Sequence, residues 1–170
     1  MIDLILINGC GGAGKETTGR ELLRKLPRAA LLDIKGLSST NPWCFEDFEL
    51  GIRNAVSLIH NYAKKGWPQI ILVGGVNSSD RLSYLLSELR VEATIHYFWL
   101  DVPKHVRDAR RIERRRDEAD RKEHLDAIDL VFIDPGELVV PGGRFLRIRP
   151  EALSPSQLAE IIKQELIADH

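Results

Sequence analysis

The stretch Ile7-Asn-Gly-Cys-Gly-Gly-Ala-Gly-Lys-Glu-Thr-Thr18 concentrates residue types that bind phosphate. It contains G-x-x-x-x-G-K, with Gly9, Gly14 and Lys15 at the fixed positions and Cys10, Gly11, Gly12 and Ala13 between them. Glycines let a backbone curl so that successive N–H groups point inward, and a helix N-terminus adds its positive end. Lys15 would then place a cation on the β- and γ-phosphates of a nucleoside triphosphate. The pattern therefore predicts binding of ATP by Gly9, Gly11, Gly12, Ala13, Gly14, Lys15, Glu16 and Thr17. The plainer reading is a glycine turn that only joins a strand to a helix.

The residue after the lysine is Glu16, where such loops usually carry Ser or Thr with its hydroxyl on magnesium. Glu16 could hold Mg²⁺ directly or through water, could repel the triphosphate, or could simply suit the helix dipole. Thr17 follows it. Cys10 reads as a small tolerated side chain within the loop, although oxidation there should block a nucleotide.

The flanking elements favour the phosphate reading over the plain turn. Leu4–Ile7 is a short apolar run and predicts a buried strand, with a helix from Lys15 to Leu26. Ala29–Asp33, Gln69–Val73, Ala93–Leu100 and Arg144–Ile148 predict further strands. Lys35 to Pro42 reads as a loop. Phe48, Ile52, Ala55, Val56, Ile59 and Ala63 recur at helical spacing, up to Gly66-Trp67-Pro68. Ser78 and Ser79 can cap a helix carrying Leu82, Leu85, Leu86 and Leu89. A charged helix is predicted from about Pro103 to Arg121, and Leu130–Ile133 is open between strand and helix. Ser154-Pro-Ser-Gln157 combines an N-cap, a first-turn proline and a capping box. Apolar strands alternating with helices predict an α/β fold of three αβα layers around a parallel sheet.

Asp33 ends the second predicted strand, and strand C-terminal ends line the ligand crevice of such sheets. It is a candidate to orient an acceptor hydroxyl or to hold Mg²⁺ through water; capping the following turn is the alternative. Gly74 and Gly75 could let an acceptor approach the backbone, with Asn77, Asp80 and Arg81 just beyond. Trp43, Phe45 and Phe48 could stack on a planar acceptor, or anchor a helix to the core. In the arginine-rich segment, Arg107, Arg111 and Arg114 share one helical face, and Arg110 and Arg114 share another. Arg111 and Arg114 are the candidates to meet phosphate and stabilise transition-state charge. The bland alternative is a solvated helix with i,i+4 pairs such as Arg114–Glu118.

Together these features resemble the P-loop small-molecule kinases, the adenylate-, shikimate- and gluconate-kinase-like enzymes. Lys15-Glu16-Thr17 is similar to the G-K-G-T form of adenylate-kinase-like loops, with threonine two places after the lysine. Ile70-Ile-Leu-Val-Gly-Gly75 resembles the third strand and glycine turn of shikimate kinases, and Leu100-Asp-Val-Pro-Lys-His-Val106 the end of their fourth strand. The resemblance implies a five-stranded parallel sheet in order 2-3-1-4-5 and phosphoryl transfer from ATP, assisted by Mg²⁺, to a small acceptor. It implies a lid at about 104–124 within one domain spanning 1–170, and an adenine site near Arg149, which could stack on the base. Where shikimate kinases carry D-x-D, this chain has Asp33-Ile34-Lys35; an acceptor gripped by Lys35 would be anionic, unless the lysine faces solvent.

Composition narrows the alternatives. Over 170 residues the net charge is -1, so no global field recruits nucleic acid or anionic lipid. Cys10 and Cys44 form no C-x-x-C pair, and the N-terminal apolar run is too short for a membrane span or signal peptide. A cytoplasmic protein is expected, acting on small molecules rather than on nucleic acid or membrane. No N-K-x-D sequence supports a GTPase. Three functions compete: a kinase; a nucleotide-binding protein with little or no transferase activity, which Glu16 and Lys35 favour; and a nucleic-acid-directed protein using the arginine helix, against which the balanced charge weighs.

Overall fold

The computed structural model describes residues 1–39, 48–114, 129–130, 134–150 and 153–168, without the side chains of Phe48 and Arg114. Its sheet has five parallel strands in the order β2-β3-β1-β4-β5. They are β1 (Ile2–Gly9), β2 (Ala29–Asp33), β3 (Gln69–Val73), β4 (Ala93–Leu100) and β5 (Gly143–Ile148). β1 lies at the centre, paired on one side to β3 and on the other to β4 from Ile2↔Ala93 to Gly9↔Leu100. This pairing on both edges explains why β1 extends beyond the expected Leu4–Ile7 to take in Asp3 and Asn8. Asp3 is paired to both neighbours and Asn8 to β4, and backbone pairing holds whatever the side chains are.

Alternation along the strands builds two cores. Ile5, Ile7, Ile71, Val73, Phe98 and Leu100 pack with Leu22 and Leu26 from the first helix, α1 (Lys15–Lys25), and its end. Leu158, Ala159, Ile162 and Leu166 complete that face from the last helix, Pro155–Ala168. On the other face Leu4, Leu6, Ile70, Leu72, Tyr97 and Trp99 meet Ile52, Ala55, Val56 and Ile59 of Phe48–Lys64. Leu82 and Leu85 of Ser79–Glu88 join them. Strands buried on both faces account for the continuous apolar runs in the sequence. The helices bounded within the described residues are, in chain order, α1, α2 (Ile34–Leu37), α3 (Phe48–Lys64), α4 (Ser79–Glu88), α5 (Lys104–Arg114) and α6 (Pro155–Ala168).

Local chemistry sets the helix ends. Ser154 and Gln157 form the reciprocal capping box, with Gln157 N–H donating to Ser154 Oγ at 3.2 Å and Ser154 N–H to Gln157 Oε1 at 2.9 Å. Ser78 caps α4 through Arg81 N–H. The chain after β2 is a correction: the expected loop begins as the short helix α2, because the Asp33 carboxylate accepts from Lys35 N–H at 3.1 Å and nucleates the turn. Trp43, Phe45, the end of the charged segment beyond Arg114, and residues 131–133 of the unassigned apolar run lie outside the described residues. No helix among the described residues is long and apolar enough to cross a membrane.

Candidate active site

β1 delivers the glycine loop to the C-terminal edge of the sheet, and α1 leaves from it. Gly14 is the N-cap of α1 at φ 93°, a left-handed conformation that disfavours side chains, and no side chain caps the helix. The first-turn N–H groups of α1 therefore have no side-chain acceptor of the chain's own at the cap, as an anion site requires. Gly12 has φ 83°, and a Cβ there would lie 2.8 Å from the Arg107 carbonyl oxygen. The loop is thus packed against α5 as closely as glycine permits. Within it, Ala13 N–H turns back onto the Cys10 carbonyl at 3.1 Å.

Lys15 Nζ donates to the carbonyls of Gly9 at 2.8 Å and Cys10 at 3.0 Å. Burial is the largest influence on this ammonium and brings it down to about 8; the nearby Cys10 and Asp33 act against that fall. Asp33 lies within electrostatic reach of Lys15 and Glu16. Burial pushes its carboxyl up, the Lys35 N–H bond pulls it down, the Glu16 charge adds to the rise, and the net shift is upward. Glu16 itself is more than half exposed and reaches Arg20 at 3.4 Å. The loop lysine and the two acidic candidates therefore form one electrostatic group. Asp33 also does what the plainer reading expected, capping α2.

The arginines divide between two positions. Arg107 and Arg111 both donate to the Gly11 carbonyl, at 3.2 Å from Arg107 Nη1 and 2.9 Å from Arg111 Nε. Both also grip Asp129 Oδ1, at 2.7 and 2.8 Å. Burial pushes the Asp129 carboxyl up, but the hydrogen bonds from Arg107 and Arg111 outweigh it and hold it below the usual range. Arg110 lies elsewhere: its Nη1 is 3.8 Å from where a Gly14 Cβ would sit. Helical spacing separates these two sets, but nothing local in the sequence distinguishes the set that reaches Gly14 from the set that reaches Gly11. The Arg114 side chain lies outside the described residues.

Beyond β3, the turn through Gly74 and Gly75 is tied to the central strand. Gly74 N–H donates to the Ile7 carbonyl at 3.0 Å. The buried Asn8 accepts from Val76 N–H at 3.3 Å, and Tyr97 Oη donates to the Val76 carbonyl. Asn8 and Tyr97 went unnoticed in the sequence because their partner is a backbone group about 70 residues or 21 residues away. Asn77 accepts from Arg81 across the first turn of α4. Lys35 is exposed.

No protein-family model and no curated protein matches the sequence. Solved structures do match over nearly its whole length. An unliganded sugar kinase from Janibacter aligns with 98% of this chain and 95% of its own, at TM-score 0.72 and 17% identity. APS kinase of Mycobacterium tuberculosis, in complex with AMPPNP and APS, aligns over 98% of both chains at TM-score 0.62 and 16% identity. Shikimate kinase of Acinetobacter baumannii, in complex with shikimate, covers 99% of this chain and 95% of its own at TM-score 0.58 and 19% identity. The fold is that of the P-loop small-molecule kinases. In this kinase fold the sheet order 2-3-1-4-5 puts the glycine loop at the central strand. The β2 and β3 ends, with Asp33 and Gly74-Gly75, flank it on one side, and the β4 and β5 ends on the other. Arg149 follows β5 and is exposed, reaching Asp101 at 3.2 Å.

Proposed function

We propose that the protein transfers the terminal phosphoryl group of ATP to a small-molecule acceptor with Mg²⁺. The observation that carries this reading is the grouping of a helix N-terminus without a side-chain cap, the part-buried Lys15 and the Asp33 carboxylate at one edge of a kinase-type sheet. Gly9, Gly11, Gly12, Ala13 and Gly14 supply the backbone cradle, and Lys15 swings its ammonium from the Gly9 and Cys10 carbonyls to the β- and γ-phosphates. Arg110, over Gly14, is the described arginine best placed to neutralise charge on the transferred group. Arg111 backs the loop instead, and Arg114 stays a candidate by helical spacing alone.

Glu16 and Asp33, whose like charges repel one another, are hard oxygen donors of the kind Mg²⁺ takes from a protein, the rest coming from phosphates and water. Thr17 adds a hydroxyl next to them. When bound, the ion would neutralise the phosphate oxygens and hold them in line. Asp33 orients the acceptor hydroxyl and takes its proton as the oxygen bonds to the terminal phosphorus and the bond to ADP breaks. Lys35, exposed two residues beyond Asp33, favours an anionic acceptor. Arg149 stacks on adenine once released from Asp101.

The test is ATP consumption with Mg²⁺ across a panel of small hydroxyl acceptors, anionic and neutral, with wild type and Lys15→Ala. Acceptor-dependent ADP release, reduced about a hundredfold or more in Lys15→Ala, is expected. ATP binding without turnover for any acceptor would replace the transferase with a nucleotide-binding protein. Absence of ATP binding would remove both readings.

A further inference from the structure

The Arg107 side chain is the one charged group of α5 that is buried, at 6% exposure among the described residues. Its donors are distributed over three elements. Nε donates to the Val102 carbonyl at 3.0 Å, which fixes the guanidinium beside the start of its own helix. Nη1 donates to Gly11 O at 3.2 Å and to Asp129 Oδ1 at 2.7 Å. Arg111 reaches the same two acceptors, so two guanidinium groups converge on one carbonyl and one carboxylate. Lys104 Nζ stands 3.6 Å from the other Asp129 oxygen and closes the charge group.

That carbonyl is part of the phosphate loop, and peptide geometry turns its position into an orientation. The Gly11 C=O and the Gly12 N–H belong to a single planar trans unit and point in opposite directions. Holding the carbonyl against α5 therefore aims the Gly12 N–H away from α5. Glycine leaves this peptide unit free to flip, and Gly12 at φ 83° lies in a region where glycine alone is at ease. A loop with such freedom needs an outside restraint if its donors are to be in place before the anion arrives.

We propose that Arg107 is a positioning residue which, with Arg111 and Asp129, pins the Gly11 carbonyl and so aims the Gly12 N–H at the phosphates. The inference rests on the nucleotide reading above and extends it to residues that touch no substrate. Asp129 holds the two like charges together on one oxygen, which lets both face a single carbonyl.

The test is calorimetric titration of wild type, Arg107→Ala, Arg107→Lys and Asp129→Asn with Mg-ATP and with inorganic tripolyphosphate. The Gly12 amide is followed by ¹⁵N NMR, and melting is recorded for each variant. In Arg107→Ala, affinity for both ligands should fall about tenfold or more, with a displaced Gly12 amide resonance. Millimolar guanidinium should restore part of both. Lys at 107 keeps the charge and most of the stem but loses the fork, so it should show most of the loss. Asp129→Asn should show a smaller loss in the same direction. Should Arg107→Ala not fold, the other two variants carry the test. Wild-type affinity in the folded variants, with an unmoved Gly12 resonance, overturns the proposal while leaving the nucleotide reading intact. Lowered melting with unchanged affinity assigns Arg107 to stability alone and also overturns it. Failure of wild type itself to bind either ligand removes the nucleotide reading, a separate result.

Discussion

The two sides of the candidate site are built differently. The side proposed to take the nucleotide is made of backbone: a glycine loop, a helix start with no side-chain cap, and side chains that hold that backbone from behind. The side proposed for the acceptor is made of side chains, two of which already have a local partner. Asp33 caps α2, and Asn77 accepts from Arg81. Backbone donors do not change when surface residues do, so a phosphate site can persist on one fold while the acceptor varies. Sites made of a few polar side chains are where specificity is set. The three solved structures reported above fit this division, since a sugar kinase, an APS kinase and a shikimate kinase share one architecture.

The largest expected effect that would test this contrast is at Asp33. Asparagine caps as well as aspartate does, so Asp33→Asn should keep the melting temperature while kcat falls about a hundredfold. Asp33→Ala should add a loss of about 1 kcal/mol in stability from the missing cap. An unchanged kcat in Asp33→Asn would reduce the residue to its capping role, and the acceptor side would have to be sought elsewhere.

A smaller effect should appear on the nucleotide side as a dependence on pH. Lys15 in the nucleotide-free protein lies at about 8 instead of its ordinary 10.5. Its folded value is below its unfolded one, so the stability linked to it is present above 10.5 and lost as pH falls through about 8. Phosphates reverse the preference by favouring the ammonium. ATP affinity should therefore weaken above pH 8, by up to about tenfold per unit, with proton uptake on binding. Calorimetry in buffers of different ionisation enthalpy measures that uptake directly. Lys15→Met should abolish it, and uptake that persists in this variant would assign the proton to another group.

The smallest expected effect is at Lys35. An exposed cation contributes little to binding, so Lys35→Ala should raise KM for an anionic acceptor only about twofold to fivefold and leave kcat and neutral acceptors unchanged. Equal KM values would mean that the lysine faces solvent and that the anionic preference has no support from this position.

The glycine loop between β1 and α1 and most of the sheet were legible in the sequence because both depend on short-range patterns. Glycine spacing with a following lysine encodes the loop, and apolar runs encode strands buried on both faces. Ser154 and Gln157 encode a helix start that forms as read. The helical turn after Asp33 was less legible, since one side-chain cap outweighed the loop-forming residues beyond it. The extension of β1 through Asp3 and Asn8 was hidden because strand length here follows from pairing with two neighbours.

By itself, then, the sequence determined the parts whose physics is local: a glycine-rich loop, its flanking strand and helix, and the alternation that demands a covered parallel sheet. The tertiary structure alone decided which arginines face which side of the loop. Helical spacing separates Arg110 from Arg107 and Arg111, but only the docking of α5 tells which set meets Gly14 and which meets Gly11. It also decided the partners of Asn8, Tyr97 and Asp129, whose contacts join positions remote in the chain. The reason is that a hydrogen bond across tens of residues is set by how layers pack, and packing leaves no periodicity in the sequence to read.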